Sequence, residues 1–239
     1  MAKRKLARET KSQKFFTTYS TSTGLDKGTR EMFPSFPYII SGGKVTERYY
    51  FLNLSKETEY KFKVVPEYFG KESQFVQEFP KNIEKILKGS PDAKIFCVFD
   101  WDTIYGNKTN LVKYNRFVKQ IQTHIDNGNV ALCPSMPSFE YWFMLHFKNT
   151  TRLVKTCEEM AKELRPYMSS YFSKKEIDLF KVLKSSQYME KPTWVRNLCA
   201  DGKLNDAIKR AENNIRTSET NGDLEDQSYS YVYKAFKER

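Results

Sequence analysis

The chain has 239 residues, 39% of them hydrophobic and 15% aromatic, with ten glycines: enough apolar material for a buried core and too much for a disordered polymer. A formal charge of +11 favours polyanionic partners, and no apolar run nears the roughly 20 residues that a membrane helix needs. The start MAKRKLARETK lacks the apolar stretch of a secretory signal, so a cytoplasmic protein with no membrane partner is expected.

Residues 1–34 read as a basic N-terminal arm; over residues 1–30, Lys3, Arg4, Lys5, Arg8, Lys11, Lys14, Lys27 and Arg30 are opposed by Glu9 and Asp26, a surplus of six positive charges. Such an arm attracts phosphate backbones by counterion release, and Lys3, Arg4, Lys5, Arg8, Lys11 and Lys14 are its candidate nucleic-acid contacts. A solvated tail would have the same composition.

The fold is expected to begin after Pro34. Pro37 to Ser41 (PYIIS) reads as a strand, Gly42-Gly43 as a tight turn, and KVTERYYFLNLSKE as a helix with apolar residues at helical spacing. Alternation in Tyr60 to Val65 predicts a second strand, Glu72 to Leu87 a helix, and the apolar run Lys94 to Phe99 (KIFCVF) a buried parallel strand. Then come a helix over Asn110 to Ile125, a strand over Asn129 to Cys133, and an aromatic helix over Ser138 to Phe147. This alternation over 35–149 implies an α/β core with a mainly parallel sheet and helices on both faces. Residues 150–239 read as a helical C-terminal region, with helices near 151–164, 173–186 and 202–216, a polar loop over 217–230 and a last short helix.

Ligands of open parallel sheets bind where the strands end at their carboxyl termini. After the first strand, Gly42, Gly43 and Lys44 could hold a phosphate at a helix N-terminus, although the full P-loop pattern is lacking and two glycines also suit a purely steric turn. Glu47 lies one turn further on, where the helix dipole alone favours an acid. After the third strand come Asp100 and Asp102, whose mutual repulsion should raise the pKa of at least one unless a cation sits between them. Hard oxygen ligands there suit Mg²⁺ or Mn²⁺, while turn formation or helix capping is the structural alternative. Before the aromatic helix, Ser138 is placed as an N-cap and Glu140 as a first-turn acid near the same sheet edge. His146 suits core packing better than catalysis. Cys97, Cys133, Cys157 and Cys199 are widely spaced, which argues against structural zinc or a disulfide framework.

Three segments, GGKVTERYYF at 42–51, FCVFDWD at 96–102 and PSMPSFEYWFMLHF at 134–147, carry a resemblance to the RloB-like proteins of prokaryotic defence loci. The last looks like that family's SNPxFExWxxxHF motif. The resemblance implies a Toprim-like core whose Asp100 and Asp102 match the DxD pair and whose Glu140 matches the glutamate of the FE motif, acids that bind Mg²⁺ or Mn²⁺ for phosphodiester chemistry. Aligned on Thr46-Glu47, the glutamate usual after the first Toprim strand falls at Gly42, leaving Glu47 to compensate. It thus implies an antiphage effector acting as a metal-dependent nuclease, with Glu47, Asp100, Asp102 and Glu140 catalytic and RNA such as tRNA preferred to DNA by fold analogy. A non-catalytic nucleic-acid-binding or sensor subunit, and an enzyme acting on a small phosphate compound, are the competing readings. A protein partner from a defence operon and a homodimer are left open.

Overall fold

The computed structural model describes residues 36–66, 75–172 and 178–237. The basic arm with its six candidate contacts, and the predicted start of the helix at Glu72, lie outside the described residues.

Four parallel strands follow from the apolar runs: β1 (Tyr38–Ser41), β2 (Lys63–Val65), β3 (Ile95–Asp100) and β4 (Val130–Met136). A two-residue strand, β5 (Tyr229–Ser230), joins antiparallel, giving the order β2-β1-β3-β4-β5. β3 is buried along Ile95 to Phe99, and its side chains alternate between two cores, as a central strand's must. Ile95, Cys97 and Phe99 pack under α2 (Phe75–Gly89) and α4 (Lys108–Asp126), with Phe79, Ile83, Phe117 and Ile121. Phe96 and Val98 face the opposite, larger core, built on α1 (Thr46–Glu57) and α5 (Glu140–Phe147). The four-residue helix α3 (Asp102–Tyr105) leads from β3 into α4.

The C-terminal region is not a satellite of the sheet. Its helices α6 (Cys157–Met168), α7 (Leu179–Leu183), α8 (Ser186–Met189), α9 (Thr193–Cys199) and α10 (Lys203–Asn221) contribute Leu164, Leu183, Met189, Trp194 and Ala207 to the same core as α1 and α5. Asn53 Nδ2 donates to the Met189 carbonyl at 2.8 Å, fastening α1 to α8. α10 buries Leu204, Ala207, Ile208, Ala211, Ile215 and Ser218 along one stripe and ends at Gly222, whose φ of +73° suits a residue without a Cβ.

Several boundaries differ from the sequence reading. β2 starts at Lys63, β4 runs on to Met136, and α5 begins at Glu140, with Phe139 in the N-cap place and no side-chain cap. Ser138 therefore does not cap the helix as expected. The supposed polar loop over 217–230 contains the end of α10, a 3-10 turn at Leu224–Asp226, and β5. The seven residues of α9 went unread because their apolar pattern is too short to show a period.

The end of the described chain closes the larger core. Phe236, in a 3-10 turn over Val232–Phe236, stacks on Trp142 at 5.6 Å between ring centroids and meets Tyr60 edge-on at 4.9 Å. Replacing Phe236 by Ala is expected to cost about 3–5 kcal/mol, the usual range for a buried phenylalanine. Urea denaturation should show this as an earlier transition that remains single, because the tail and sheet share one core.

Candidate active site

The carboxyl ends of β1, β3 and β4 lie side by side, so the segments leaving them converge. In α1, Glu47 falls on the same buried stripe as Tyr50, Phe51 and Leu54, three, four and seven residues on, which turns its carboxylate inward. The two glycines before it make room. Gly42 lies so close to β3 that a Cβ there would stand 3.2 Å from the Phe99 Cβ and the Val98 oxygen, and its N–H donates to that same oxygen at 2.7 Å. A Cβ on Gly43 would fall 2.0 Å from Glu47 Oε2. Both glycines thus have a structural role at this turn: the Gly42 N–H is spent on the sheet and Gly43 cradles Glu47. Lys44 is exposed at the rim.

Asp100 continues the alternation of β3 onto the face of Phe96 and Val98, towards α1 and α5, where its Oδ1 accepts from the Phe139 N–H at 2.7 Å. Asp102 opens α3, and its Oδ1 is buried without a hydrogen-bond partner. Glu140 is fully buried in the first turn of α5. Its Oε1 receives the Lys184 Nζ at 3.1 Å, while Oε2 has no hydrogen-bond partner. The Thr46 hydroxyl donates to the Leu183 carbonyl at 2.8 Å and lies 3.4 Å from Glu140 Oε1, so the loop bearing Lys184 is tied to the start of α1.

The electrostatics follow from burial. Burial, then the fields of Glu47 and Glu140, pushes Asp100 well above the usual carboxylate range. Burial, joined by Glu140, also raises Asp102. The expected rise is therefore present, but the leading cause is desolvation rather than repulsion between the two aspartates. Glu47 is pushed up to about 7, chiefly by burial. Glu140 is equally desolvated, yet the Lys184 ammonium holds it below the usual range. Lys184 is itself held charged against its own burial by Glu140 and the surrounding acids.

The structure thus brings together all four predicted acids and adds Lys184, Thr46 and Cys157, the last beside Glu140 and Asp100 with its thiol pushed up by burial. Sequence reasoning gave none of these three a place in the site: Thr46 entered only through the Thr46-Glu47 pair, and a lysine and a cysteine in the helical C-terminal region carry no motif. The donor set suits a hard divalent cation: carboxylate oxygens only, two of them buried and unpartnered. Among the described residues, however, no group of three or more His, Cys, Asp or Glu side chains is closed tightly enough to hold a metal as it stands. His146 packs in the core, with Nδ1 3.0 Å from the Trp142 carbonyl oxygen.

Two outcomes are expected. Lys184→Met removes the partner of a fully buried carboxylate and should cost about 2–3 kcal/mol, below the full penalty for a broken buried pair because the lysine side chain is 41% exposed. Adding Glu140→Gln should restore much of that loss in a double-mutant cycle. Burial, with Arg210 and Lys203 nearby, holds His146 down to about 3, so its contribution to stability is complete above the unfolded value near 6.5 and is lost as pH falls towards 3. Glu47, raised in the fold, acts with the opposite sign, losing its contribution as pH rises through about 7. The His146 contribution is therefore read as the difference between wild type and His146→Gln. That difference should shrink by up to about 1.4 kcal/mol for each pH unit between 6 and 4.

The profile of the family described as RloB-like protein matches residues 38–238. Neither the curated proteins nor the solved structures contain a match. The match takes in all five strands and every segment of the acidic site, and the chain belongs to the RloB-like family, with a Toprim-like α/β core and a helical C-terminal region.

Proposed function

We propose that the protein is a divalent-metal-dependent nuclease of prokaryotic antiviral defence, acting on RNA in preference to DNA. The observation that carries this reading is the meeting of Glu47, Asp100, Asp102 and Glu140, drawn from three strand ends, around buried carboxylate oxygens that lack partners. Asp100, Asp102 and Glu140 would hold Mg²⁺ or Mn²⁺. When bound, such an ion would supply a Lewis acid for the phosphate oxygens and lower the pKa of bound water.

The chain's own groups supply the rest. Glu47, with a pKa near 7, is suited to accept the proton of the water that attacks phosphorus. As the new P–O bond forms, the bond to the leaving ribose oxygen breaks, and that oxygen takes a proton from solvent. Lys184 offsets the negative charge of the site and Lys44 stands at its rim for the substrate phosphate. Positive charge on the surface would gather the polyanion: Lys81, Lys113 and Arg116 line one groove between α2 and α4.

A second reading, a non-catalytic nucleic-acid-binding subunit working with a protein partner, draws on one observation. The Lys184 ammonium already sits on Glu140 and takes part of the role that a cation would have.

The two readings separate on labelled tRNA, single-stranded RNA and duplex DNA incubated with Mg²⁺ or Mn²⁺. Wild type should cut, RNA first, and the Asp100→Asn, Asp102→Asn variant should lose cutting by about a hundredfold or more while retaining gel-shift affinity. Metal at about a hundred times its dissociation constant should stabilise wild type by about 2.7 kcal/mol and leave the variant unmoved. Binding without cutting or metal stabilisation in wild type would favour the second reading.

A further inference from the structure

Beside the acids lies a groove of about 210 Å³ lined by Trp101, Tyr105, Met136, Leu224, Glu225 and Tyr229. It is smaller than the roughly 300–1,000 Å³ of a drug-sized pocket, with room for a single flat ring system. Trp101 stands between Asp100 and Asp102 in sequence, and its side chain leaves the acid face for the opposite side, against Tyr114 at 5.0 Å and the cluster of Met136, Ile215 and Tyr229. The backbone fixes this opening beside the acids: the Trp101 N–H donates to the Ser135 carbonyl and the Asp102 N–H to the Pro137 carbonyl.

Tyr105 follows Trp101 by one helical turn, its N–H donating to the Trp101 carbonyl, so the two rings share a side. Tyr105 is 57% exposed, a large apolar surface with no folding role that would explain it. The opposite wall comes from the 3-10 turn at Leu224–Asp226 and from β5, so the C-terminal tail completes the groove. One carboxylate, Glu225, stands in this otherwise apolar lining. In a chain of charge +11 that suits polyanions, it is misplaced for a phosphate but well placed to accept from the N–H donors of a base edge.

We infer that this groove seats one unpaired nucleobase of a single-stranded polynucleotide, stacked on Trp101 and Tyr105, with an exocyclic amino group turned to Glu225. The assignment rests on the nuclease reading in one respect: it places the nucleotide next to the scissile phosphate at the acids. It makes the substrate single-stranded or looped, since a base held in a duplex cannot enter. Cytosine, with its amino group, is preferred to uracil.

The protein carries its own reporter. Of its three tryptophans, Trp142 and Trp194 are buried to 0% and 1% exposure, whereas Trp101 is partly exposed. The full-length protein in EDTA, where metal-dependent cutting cannot occur, is titrated with oligocytidylate, oligouridylate, duplex RNA of equal length and cytidine monophosphate. Oligocytidylate should quench tryptophan emission, more tightly than oligouridylate and far more tightly than the duplex or the mononucleotide. Trp101→Phe should abolish the signal, Tyr105→Ala should weaken affinity by about tenfold, within the range for one stacked base, and Glu225→Gln should erase the preference for cytosine over uracil. All three side chains are at or near the surface, and far-UV circular dichroism confirms that the variants fold.

Binding by filter assay with no change in Trp101 emission would overturn the inference, as would equal affinity for duplex or an unaffected Tyr105→Ala variant. Equal quenching by cytidine monophosphate would overturn the polynucleotide assignment. The nuclease reading is judged separately: wild type that quenches with oligocytidylate but never cuts with metal refutes that reading alone. Wild type that cuts, with cutting unaltered in Tyr105→Ala, refutes the base site alone.

Discussion

Four carboxylates gathered at the buried end of a sheet must be neutralised, because desolvation of ionised oxygen is costly unless opposite charge or a proton reaches it. Glu47 and Asp100 respond by holding protons more tightly, and Glu140 by taking an ammonium from Lys184, 44 residues away in sequence. Lys184 can reach Glu140 only if α7 is pinned against the start of α1, which Thr46 does through the Leu183 carbonyl. The helical region is therefore bound into the core by the same need that governs the acids. Two buried oxygens, one on Asp102 and one on Glu140, still lack partners, and the charge of the site is balanced in part by protons that a divalent cation could displace.

The glycine pair acquires a physical reason from the same arrangement. Gly42 must be small because β1 runs on hard against β3 at Val98 and Phe99, and Gly43 because the Glu47 carboxylate fills the space that a Cβ would take. Neither needs a left-handed backbone, for positive φ among the described glycines is confined to Gly128, Gly202 and Gly222. A side chain at Gly43 would displace the Glu47 carboxylate, and with it the field that, after burial, helps to raise Asp100. Gly42, where the resemblance would put the usual Toprim glutamate, thus serves the close approach to β3, and its neighbour Gly43 makes room for a different glutamate in the first turn of the helix.

Much of the sheet was legible because buried parallel strands leave a strong signal: IFCVFD is apolar on both faces, and no helix of that length would be. The acids were legible for a related reason, standing directly after strands in a topology whose ligands gather there. Lys184 was not, since it is one lysine among several in a segment with no strand to place it, and its partner is set by tertiary packing alone. β5 was invisible because two residues, Tyr229 and Ser230, have no period, and their pairing with Met136 and Ser135 depends on where α10 delivers the chain. Ser138 was misassigned as a cap because an N-cap preference is local, whereas the chain here turns into α5 with Phe139 buried against Tyr50 and Phe143.

The period of two in β3 also explains how three consecutive residues come to serve different ends. Phe96, Val98 and Asp100 point to the core of α1 and α5, while Cys97, Phe99 and Trp101 point to the other side, so the strand delivers a carboxylate to one face and an aromatic ring to the other. Asp102 would be expected to return to the first face, and it does, because α3 begins there and turns its carboxylate into the field of Glu140 and Lys184. Extending the strand by one residue would move Asp102 along the sheet and out of that field; beginning the helix one residue earlier would carry Trp101 away from Met136. The position at which β3 gives way to α3 therefore fixes the acids and the ring together, and neither could shift without displacing the other.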